Sequence, residues 1–227
     1  MELRDVFVGR PSVLGTERGT PVLSAISKAK VAAKSLELTE INLDGDDQAD
    51  RTVHGGVDKA VYVYPAEHYA AWASEGFETA VGDFGENLSV TGADEDTVRI
   101  GDVWSWGDAL LQVCQPRTPC FKLAMKTARK DVIPGMIDSG RSGWYLRVLR
   151  PGEVPTSGVL ALAERADGPT LTEVSTVAFA NVTQLDAERR TAYFKLAGKV
   201  LANPDLSAQY RHGVRTKVER WETRNAR

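Results

Sequence analysis

The sequence predicts a mainly β fold: a β-barrel domain with a few short helices over residues 1–166, then a small three-helix domain over residues 167–227. Three observations support this. Short runs of β-branched and aromatic residues recur in the first part, separated by Gly- and Pro-containing turns. Few segments between them could form a crossover helix, which favours a closed barrel or sandwich over a doubly wound sheet. Beyond Asp167-Gly-Pro169 the apolar residues follow a helical period.

The composition is that of a globular protein. The chain has 227 residues, of which 42% are hydrophobic and 26% charged, enough to fill a core. Its apolar runs are shorter than the roughly 18 residues of a membrane span, and its first residues lack the pattern of a secretion signal. We therefore expect a cytoplasmic, reducing location and no membrane partner. Two cysteines cannot form a Cys₄ zinc site.

The first clear pair of elements is a strand followed by a helix. Val61-Tyr-Val-Tyr64 is β-branched and aromatic, which is typical of a strand. Pro65 fits the first helical position of a helix over Pro65–Ser74, and Gly76 is suited to end it.

A β-hairpin is predicted next. Gly107-Asp108 is a glycine-first loop of two residues between strands at Asp102–Trp106 and Ala109–Gln115. Further strands are expected at Trp144–Leu149 and Val159–Ala163. The two tryptophans of the first hairpin strand share one face, which is more typical of a core than of a base-stacking surface.

Three short helices are predicted in the tail. Thr170-Leu-Thr-Glu173 fits a capping box that opens a helix over Leu171–Ala180. Thr183-Gln-Leu-Asp186 opens a second helix, which Gly198 can close. Asn203-Pro204 has the residue types of an N-cap and first helical position for the third.

The tail is basic although the chain carries a net charge of -3. Residues 170–227 contain ten Lys or Arg against six Asp or Glu. A basic three-helix segment could bind nucleic acid in the manner of a helix-turn-helix. The excess is small, so a solvated or packed surface is the better interpretation, and we do not expect a nucleic-acid partner.

Cys120 carries the strongest chemical signal in the sequence. Thr118 is a suitable N-cap and Pro119 a suitable first helical residue, which places Cys120 at about the second position of a helix. Free backbone N–H groups there, with Arg117 and Lys122 nearby, should stabilise a thiolate. The following apolar residues repeat with helical spacing: Phe121, Ala124, Met125 and Ala128.

A thiolate could serve as a nucleophile or as a metal ligand. The alternative is that Cys120 is a small buried hydrophobic residue, as most free cysteines are. Cys114 lies within a strand pattern, where packing is the expected role.

Other polar residues lie in loops with glycines. Arg51, His54 and Lys59 flank Gly55-Gly56, where backbone could approach a phosphate or a heterocycle, although a solvated turn explains the same residues. Asn87 precedes a strand, where its amide could contact a ring edge or form a simple Asx-turn. Asp44-Gly-Asp-Asp47 lacks the glycine and glutamate positions of a calcium loop, so calcium is not expected.

Together these residues resemble a known family. The chain is similar to the MOSC family, the molybdenum cofactor sulfurase C-terminal domain, in its stand-alone bacterial YiiM-like branch with a three-helix tail. The resemblance covers roughly residues 1–225. Its motifs are Leu43-Asp-Gly-Asp-Asp-Gln-Ala-Asp50, Val53-His-Gly-Gly-Val-Asp-Lys-Ala60, Phe84-Gly-Glu-Asn-Leu88, Ile100-Gly-Asp102, Gln115-Pro-Arg-Thr-Pro-Cys-Phe-Lys122 and Ser142-Gly-Trp-Tyr-Leu-Arg-Val148.

The resemblance implies a MOSC-type β-barrel that binds the molybdenum–molybdopterin cofactor. Cys120 matches the family cysteine taken as the thiolate ligand of molybdenum, a role that suits a soft sulfur ligand. With Cys120, three residues that match positions near the cofactor complete the implied catalytic site: His54, Asn87 and Arg117. Cationic candidates for binding its phosphate are Arg51, Lys59 and Lys28.

The implied activity is the reduction of N-hydroxylated compounds, such as bases of the 6-hydroxylaminopurine type, which would detoxify them. The cofactor would carry the redox chemistry, and electrons would come from a separate reductase. The alternative is a sulfur carrier or cofactor-handling module in which Cys120 holds a persulfide. A homodimer is compatible with the sequence.

Overall fold

The computed structural model describes residues 1–49 and 55–225. In this part of the chain, short 3-10 helices lie at Val57–Lys59 and Val182–Gln184. The strands described are β1 Glu2–Val8, β2 Ser12–Glu17, β3 Thr20–Ser24, β4 Ala29–Lys30, β5 Ser35–Leu38, β6 Val61–Pro65, β7 Leu88–Thr91, β8 Val103–Trp106, β9 Ala109–Pro116, β10 Trp144–Arg150, β11 Gly152–Pro155, β12 Gly158–Val159 and β13 Ala161–Glu164. The α-helices described are α1 Glu67–Ser74, α2 Phe121–Thr127, α3 Val132–Ser139, α4 Leu171–Phe179, α5 Ala187–Ala202 and α6 Ala208–Asn225.

A nine-stranded sheet forms the centre of the molecule. Its strand order is β12-β1-β7-β6-β10-β9-β8-β13, and β4 also pairs with β1. The pair β6 and β7 is parallel, and the other pairings of this sheet are antiparallel. Two small sheets, β11 with β5 and β2 with β3, flank it. The predicted mainly β fold with C-terminal helices is confirmed.

The large sheet curls into a half-barrel whose two ends lie close together. β12 pairs with β1 at one end, and β13 pairs with β8 at the other. Only Leu160 separates these two strands in the chain. One extended residue spans about 3.3 Å, so the sheet must bend until its opposite edges almost meet. Leu160 is fully buried there, and its N–H donates to the carbonyl of Met1 at 3.0 Å.

One hydrophobic cluster is shared by the sheet and the C-terminal helices. Leu111 and Trp144 from the sheet and Leu171 and Val200 from the helices belong to it, and all four are fully buried. A second, aromatic cluster around Tyr64 and residues of α1, α2 and α3 lies on the other side. The chain leaves the sheet at Glu164 and enters α4 at Leu171. The domain boundary at residue 166 stays a prediction.

The predicted hairpin is confirmed. Trp106 pairs with Ala109 across Gly107-Asp108, and Gly107 has a positive φ of 56°. Such a φ suits glycine at the first loop position. The tryptophans of β8 are 5% and 1% exposed and belong to the core, as expected.

Two predicted boundaries in the first part of the chain are wrong. Pro65 ends β6 instead of opening a helix, because it pairs with Val90 and the next N–H, of Ala66, donates to the Val90 carbonyl at 2.7 Å. Helix α1 therefore begins at Glu67, and Gly76 follows it with φ +80° as expected. The strand predicted at Val159–Ala163 is divided into β12 and β13 at Leu160, because its halves pair with opposite edges of the sheet.

The tail has its predicted capping box, but its second and third helices begin later than predicted, because Thr183 lies in a 3-10 helix and Asp186 is the N-cap of α5. Both hydrogen bonds of the box between Thr170 and Glu173 are present. Gly198 does not close the second helix, because buried residues continue to hold α5 against the core as far as Val200. Asn203 does not cap the third helix. Its side-chain oxygen accepts from Asp205 N and Leu206 N in a turn, and the α6 N-cap is Ser207, whose hydroxyl accepts from Tyr210 N at 3.2 Å.

Among the described residues, the helices lack the combination of length and hydropathy needed to cross a membrane.

Candidate functional site

Cys120 lies at the junction between β9 and α2. It is the N-cap of α2, with extended backbone angles of −137° and 169°, and its carbonyl accepts from Leu123 N at 2.9 Å. The predicted second helical position is therefore wrong. Strand-like pairing continues to Arg117, whose N–H donates to the Gly143 carbonyl at 3.1 Å, and helical angles are disfavoured at Thr118 because it precedes a proline. The helix begins later than the sequence pattern indicates.

The two cysteines differ as expected in their surroundings. Cys114 is fully buried in β9, and its Sγ lies 3.1 Å from the Asp58 carbonyl oxygen. Burial raises the pKa of its thiol to about 12, so this thiol stays protonated. Cys120 is half-buried and lines a cavity. Its thiol is therefore placed to meet a ligand.

The cavity has a volume of about 490 Å³. Volumes of roughly 300–1,000 Å³ are typical of small-molecule and cofactor sites. One wall of the cavity is formed by the sheet and its loops. Its polar residues come from β9, from the segment before α2, and from the loops that contain Lys28 and Asp46. Charged side chains that line it are the cationic Lys28, Lys59, Arg117 and Lys122 and the acidic Asp46 and Asp47.

Arg117 is buried and lines the same cavity as Cys120. Its guanidinium is 4.6 Å from the centroid of the Tyr62 ring, and its Nη1 donates to the Phe84 carbonyl. Desolvation acts to lower the pKa of Arg117, but Tyr62, Tyr145 and Cys120 outweigh it and raise the pKa above its ordinary value. Arg117 therefore keeps its positive charge beside the thiol.

Lys28, Asp46 and Asn87 form a buried hydrogen-bonded chain at the cavity. Lys28 Nζ donates to Asp46 Oδ1, and the side chains are 7% and 5% exposed. Asn87 Nδ2 donates to Asp46 Oδ2 at 2.9 Å and to the Phe7 carbonyl at 3.2 Å. Burial lowers the pKa of Lys28, and the charge of Asp46 opposes that shift. Both amide hydrogens of Asn87 are thus donated within the protein, and its amide holds Asp46 in place.

Of the remaining predicted site residues, the structure describes Lys59 alone. Lys59 lines the cavity, and its Nζ donates to Gln209 Oε1 at 2.7 Å. Arg51 and His54 lie outside the described residues. The structure therefore brings together five of the seven predicted residues: Cys120, Arg117, Asn87, Lys59 and Lys28.

The C-terminal helices form the opposite wall of the cavity, which the sequence reasoning missed. Helix α4 contributes Ala178 and Phe179, and α6 contributes Gln209, Tyr210, Gly213 and Val214. These residues carry no local pattern that marks a site, since only the docking of the helices on the sheet brings them there. Asp46 was also missed, although its loop had a recognisable cluster of acids. Tyr145, within the Ser142–Val148 motif, lines the cavity as well.

Comparisons with known proteins agree with this architecture. Residues 50–158 match the family model of the MOSC domain. Protein YiiM of Escherichia coli is 41% identical over 179 residues, covering 77% of this chain and 78% of that protein. A protein named Reductase from Gibberella moniliformis is 38% identical over 126 residues, covering 53% of this chain and 22% of that protein.

Solved structures extend the similarity to nearly the whole chain. The crystal structure of YiiM from Geobacillus stearothermophilus superposes with a TM-score of 0.74 at 30% identity, covering 94% of this chain and 97% of that one. The likeness therefore includes the sheet and the C-terminal helices that enclose the cavity. The chain belongs to the MOSC domain family, in its YiiM-like branch.

Proposed function

We propose that this chain is an oxidoreductase that binds a molybdenum–molybdopterin cofactor through Cys120 and reduces N-hydroxylated compounds. The observation that carries the proposal is a half-buried thiol that opens into a cofactor-sized cavity beside a buried, charged arginine. The reductase name of the fungal relative supports a redox activity.

The residues present fit such a group. Among the described residues no cluster of three His, Cys, Asp or Glu side chains could hold a metal on its own. Cys120 is a thiol that lines the cavity, so a metal there would need most of its ligands from a cofactor such as a pterin dithiolene. Four cationic lining side chains against two acidic ones favour an anionic ligand such as a phosphate.

Four of the described residues would contact the cofactor in this proposal, while Asn87 would position Asp46. Cys120 would ligate the metal, and Arg117 would keep a positive charge next to the sulfur. Lys28 and Lys59 line the cavity and would give charge-assisted hydrogen bonds to the phosphate. Arg51 and His54 are proposed for the phosphate and the cofactor from the resemblance alone.

The bound cofactor would supply two-electron redox chemistry. Reduction of an N-hydroxylamine consumes two electrons and two protons, breaks the N–O bond, and gives the amine and water. For a 6-hydroxylaminopurine the product is the 6-amino base. A separate reductase would deliver the electrons, as proposed from the resemblance.

Metal and pterin analysis of the purified wild-type protein, beside Cys120→Ser, tests the proposal. Protein from cells able to make the cofactor should contain molybdenum and pterin and should reduce N-hydroxylated substrates. Cys120→Ser should lose the metal and at least 100-fold in activity, because losing only the partner that orients a metal ligand already costs roughly 10–100-fold. Cys114→Ser is the matched control, because its thiol is buried away from the cavity.

Two results would count against the proposal. Full metal content and activity in Cys120→Ser would exclude the ligand role. A labile extra sulfur on Cys120 in mass spectra, with no molybdenum, would instead favour the sulfur-carrier alternative.

A further inference from the structure

Helix α6 is held rigidly against the strand that leads to Cys120. Ser207 N donates to the Cys114 carbonyl at 3.0 Å, and Ser207 Oγ donates to Gln115 Oε1. Arg147 Nη2 donates to the Asp205 carbonyl at 2.9 Å, just before the helix. These buried or partly buried contacts fix the start of α6, and so they fix the wall that its first two turns present to the cavity.

Gly213 is the smallest residue of that wall. It lies inside α6 and lines the cavity one turn from Tyr210. A Cβ atom at this position would meet no atom of another element within 4 Å among the described residues, and the backbone does not have a positive φ. Neither packing nor backbone conformation therefore requires glycine here.

Glycine inside a helix is unfavourable, because it loses more conformational entropy on folding than other residues. At position 213 the missing side chain leaves cavity space open instead. The neighbouring Tyr210 also lines the cavity, but it is only 8% exposed and its hydroxyl is buried towards Thr118 and Ser175, so it leaves the space beside Gly213 open. Open space on this turn of the cavity wall is what a bulky ligand would use.

We propose that Gly213 is the specificity-determining residue of the cavity and sets the largest ligand that reaches Cys120. This inference rests on the proposed function for its substrates, which would be N-hydroxylated fused-ring bases that need the space opposite the thiol. A side chain at position 213 would exclude bulky ligands and still admit small ones.

Gly198 provides a matched control. It also lies inside a helix, α5, and a Cβ atom there would meet no atom of another element within 4 Å in the described part of the chain, but it does not line the cavity. The same substitution at both positions therefore changes helix propensity equally and cavity space only at Gly213.

Alkylation of Cys120 in the cofactor-free protein tests the proposal without any need for activity. Iodoacetamide and fluorescein maleimide serve as a small and a bulky thiol reagent, and peptide mass spectrometry follows the modification of Cys120. Gly213→Leu should lower the rate of Cys120 alkylation at least tenfold with the bulky reagent and less than threefold with the small one. A difference of this size is typical of steric exclusion in a pocket. Gly213→Ala should give an intermediate effect, and Gly198→Leu should change neither rate beyond threefold.

Equal rates for wild type and Gly213→Leu with the bulky reagent would overturn the proposal. Equal slowing of both reagents would overturn it too, since that would show loss of access without size selection. In the loaded enzyme, Gly213→Leu should lower kcat/KM at least tenfold for a hydroxylaminopurine and leave that for hydroxylamine within threefold. If wild-type protein shows no reductase activity, the proposed function fails, while the alkylation rates still decide the role of Gly213.

Discussion

Asp46 connects the side chains that carry charge on the sheet side of the cavity. It accepts from Lys28 Nζ, from Gly9 N at 2.7 Å and from Asn87 Nδ2 at 2.9 Å. A buried carboxylate needs such partners, because unpaired burial would cost several kcal/mol. Within this acidic loop, Asp46 thus binds an internal lysine and an amide.

Glu86 is a buried acid that the proposed chemistry does not use. Its Oε1 accepts from Tyr69 Oη and from Gly82 N at 2.8 Å, while its Oε2 has no partner among the described residues. Burial raises the pKa of Glu86 above its ordinary value of 4.5. The folded protein therefore holds the protonated acid over a wider pH range than the unfolded chain does.

This shift predicts a pH-dependent loss of stability. Below the unfolded pKa, Glu86 is protonated in both states and has no effect on the pH dependence. As the pH rises above it, the unfolded chain ionises first, and the free energy of unfolding falls by up to about 1.4 kcal/mol per pH unit until the folded pKa is reached. Glu86→Gln should remove this slope in urea titrations over that window.

Glu164→Gln is the control for this experiment, since Glu164 is exposed on β13. Its stability should follow the wild-type pH dependence. Parallel curves for wild type and Glu86→Gln would show that the Glu86 carboxyl does not titrate differently in the two states.

At the scale of elements, the N-caps of α4 and α6 offer a direct comparison. Thr170 caps α4 in a partly buried capping box, whereas Ser207 caps α6 and also donates from a buried position to Gln115. Thr170→Ala should cost about 1 kcal/mol of unfolding free energy, the usual value for a lost cap. Ser207→Ala should cost about 2–3 kcal/mol, because it also leaves the buried Gln115 oxygen without its donor.

Urea unfolding of both variants measures this difference. Ser207→Ala should also speed alkylation of Cys120 by bulky reagents, because the wall of the cavity loses an anchor, while Thr170→Ala should not. Equal costs for the two variants would mean that the contact between Ser207 and Gln115 adds nothing to the docking of α6.

Elements defined by neighbouring residues could be predicted from sequence. The Gly107-Asp108 hairpin and the Thr170 capping box depend on contacts within a few residues, and both are present. The predicted end at Gly198 and start at Asn203 are wrong, because burial of α5 and a local turn override the isolated signals. Tertiary packing routinely overrides weak local preferences of this kind.

The residues of the candidate site likewise divide into those that neighbouring residues indicate and those that only tertiary packing brings together. Cys120 and Arg117 stand next to each other in a chemically distinctive segment, so the sequence could indicate them. The wall of α4 and α6 is about 60–90 residues away from Cys120 in the chain, and it reaches the cavity through tertiary packing of these helices on the sheet and contacts such as those of Ser207 and Arg147. No pattern among neighbouring residues in the sequence predicts that these helices line the cavity.

Several positive charges of the C-terminal helices make hydrogen bonds or ion pairs within the whole folded molecule. Lys217 Nζ donates to the carbonyls of Val177 and Ala178 at 3.1 and 2.8 Å, and Lys199 pairs with Glu173. Arg211 donates to several carbonyls between α5 and α6. These contacts favour a packing role for the positive charges, and the absence of a nucleic-acid partner stays a prediction.

Packing of the Leu160 side chain should stabilise the large sheet where its two edges approach each other. Leu160 is fully buried between the two strands that pair with opposite edges of the sheet, while Leu162, two residues later, is 37% exposed. Leu160→Ala should lower the free energy of unfolding by about 2–5 kcal/mol, since it leaves a cavity at the point where the edges approach. Leu162→Ala removes the same atoms from a partly solvated face and should cost less than about 1.5 kcal/mol. Urea denaturation of both variants tests this, and equal costs would mean that the approach of the two edges does not depend on packing at Leu160.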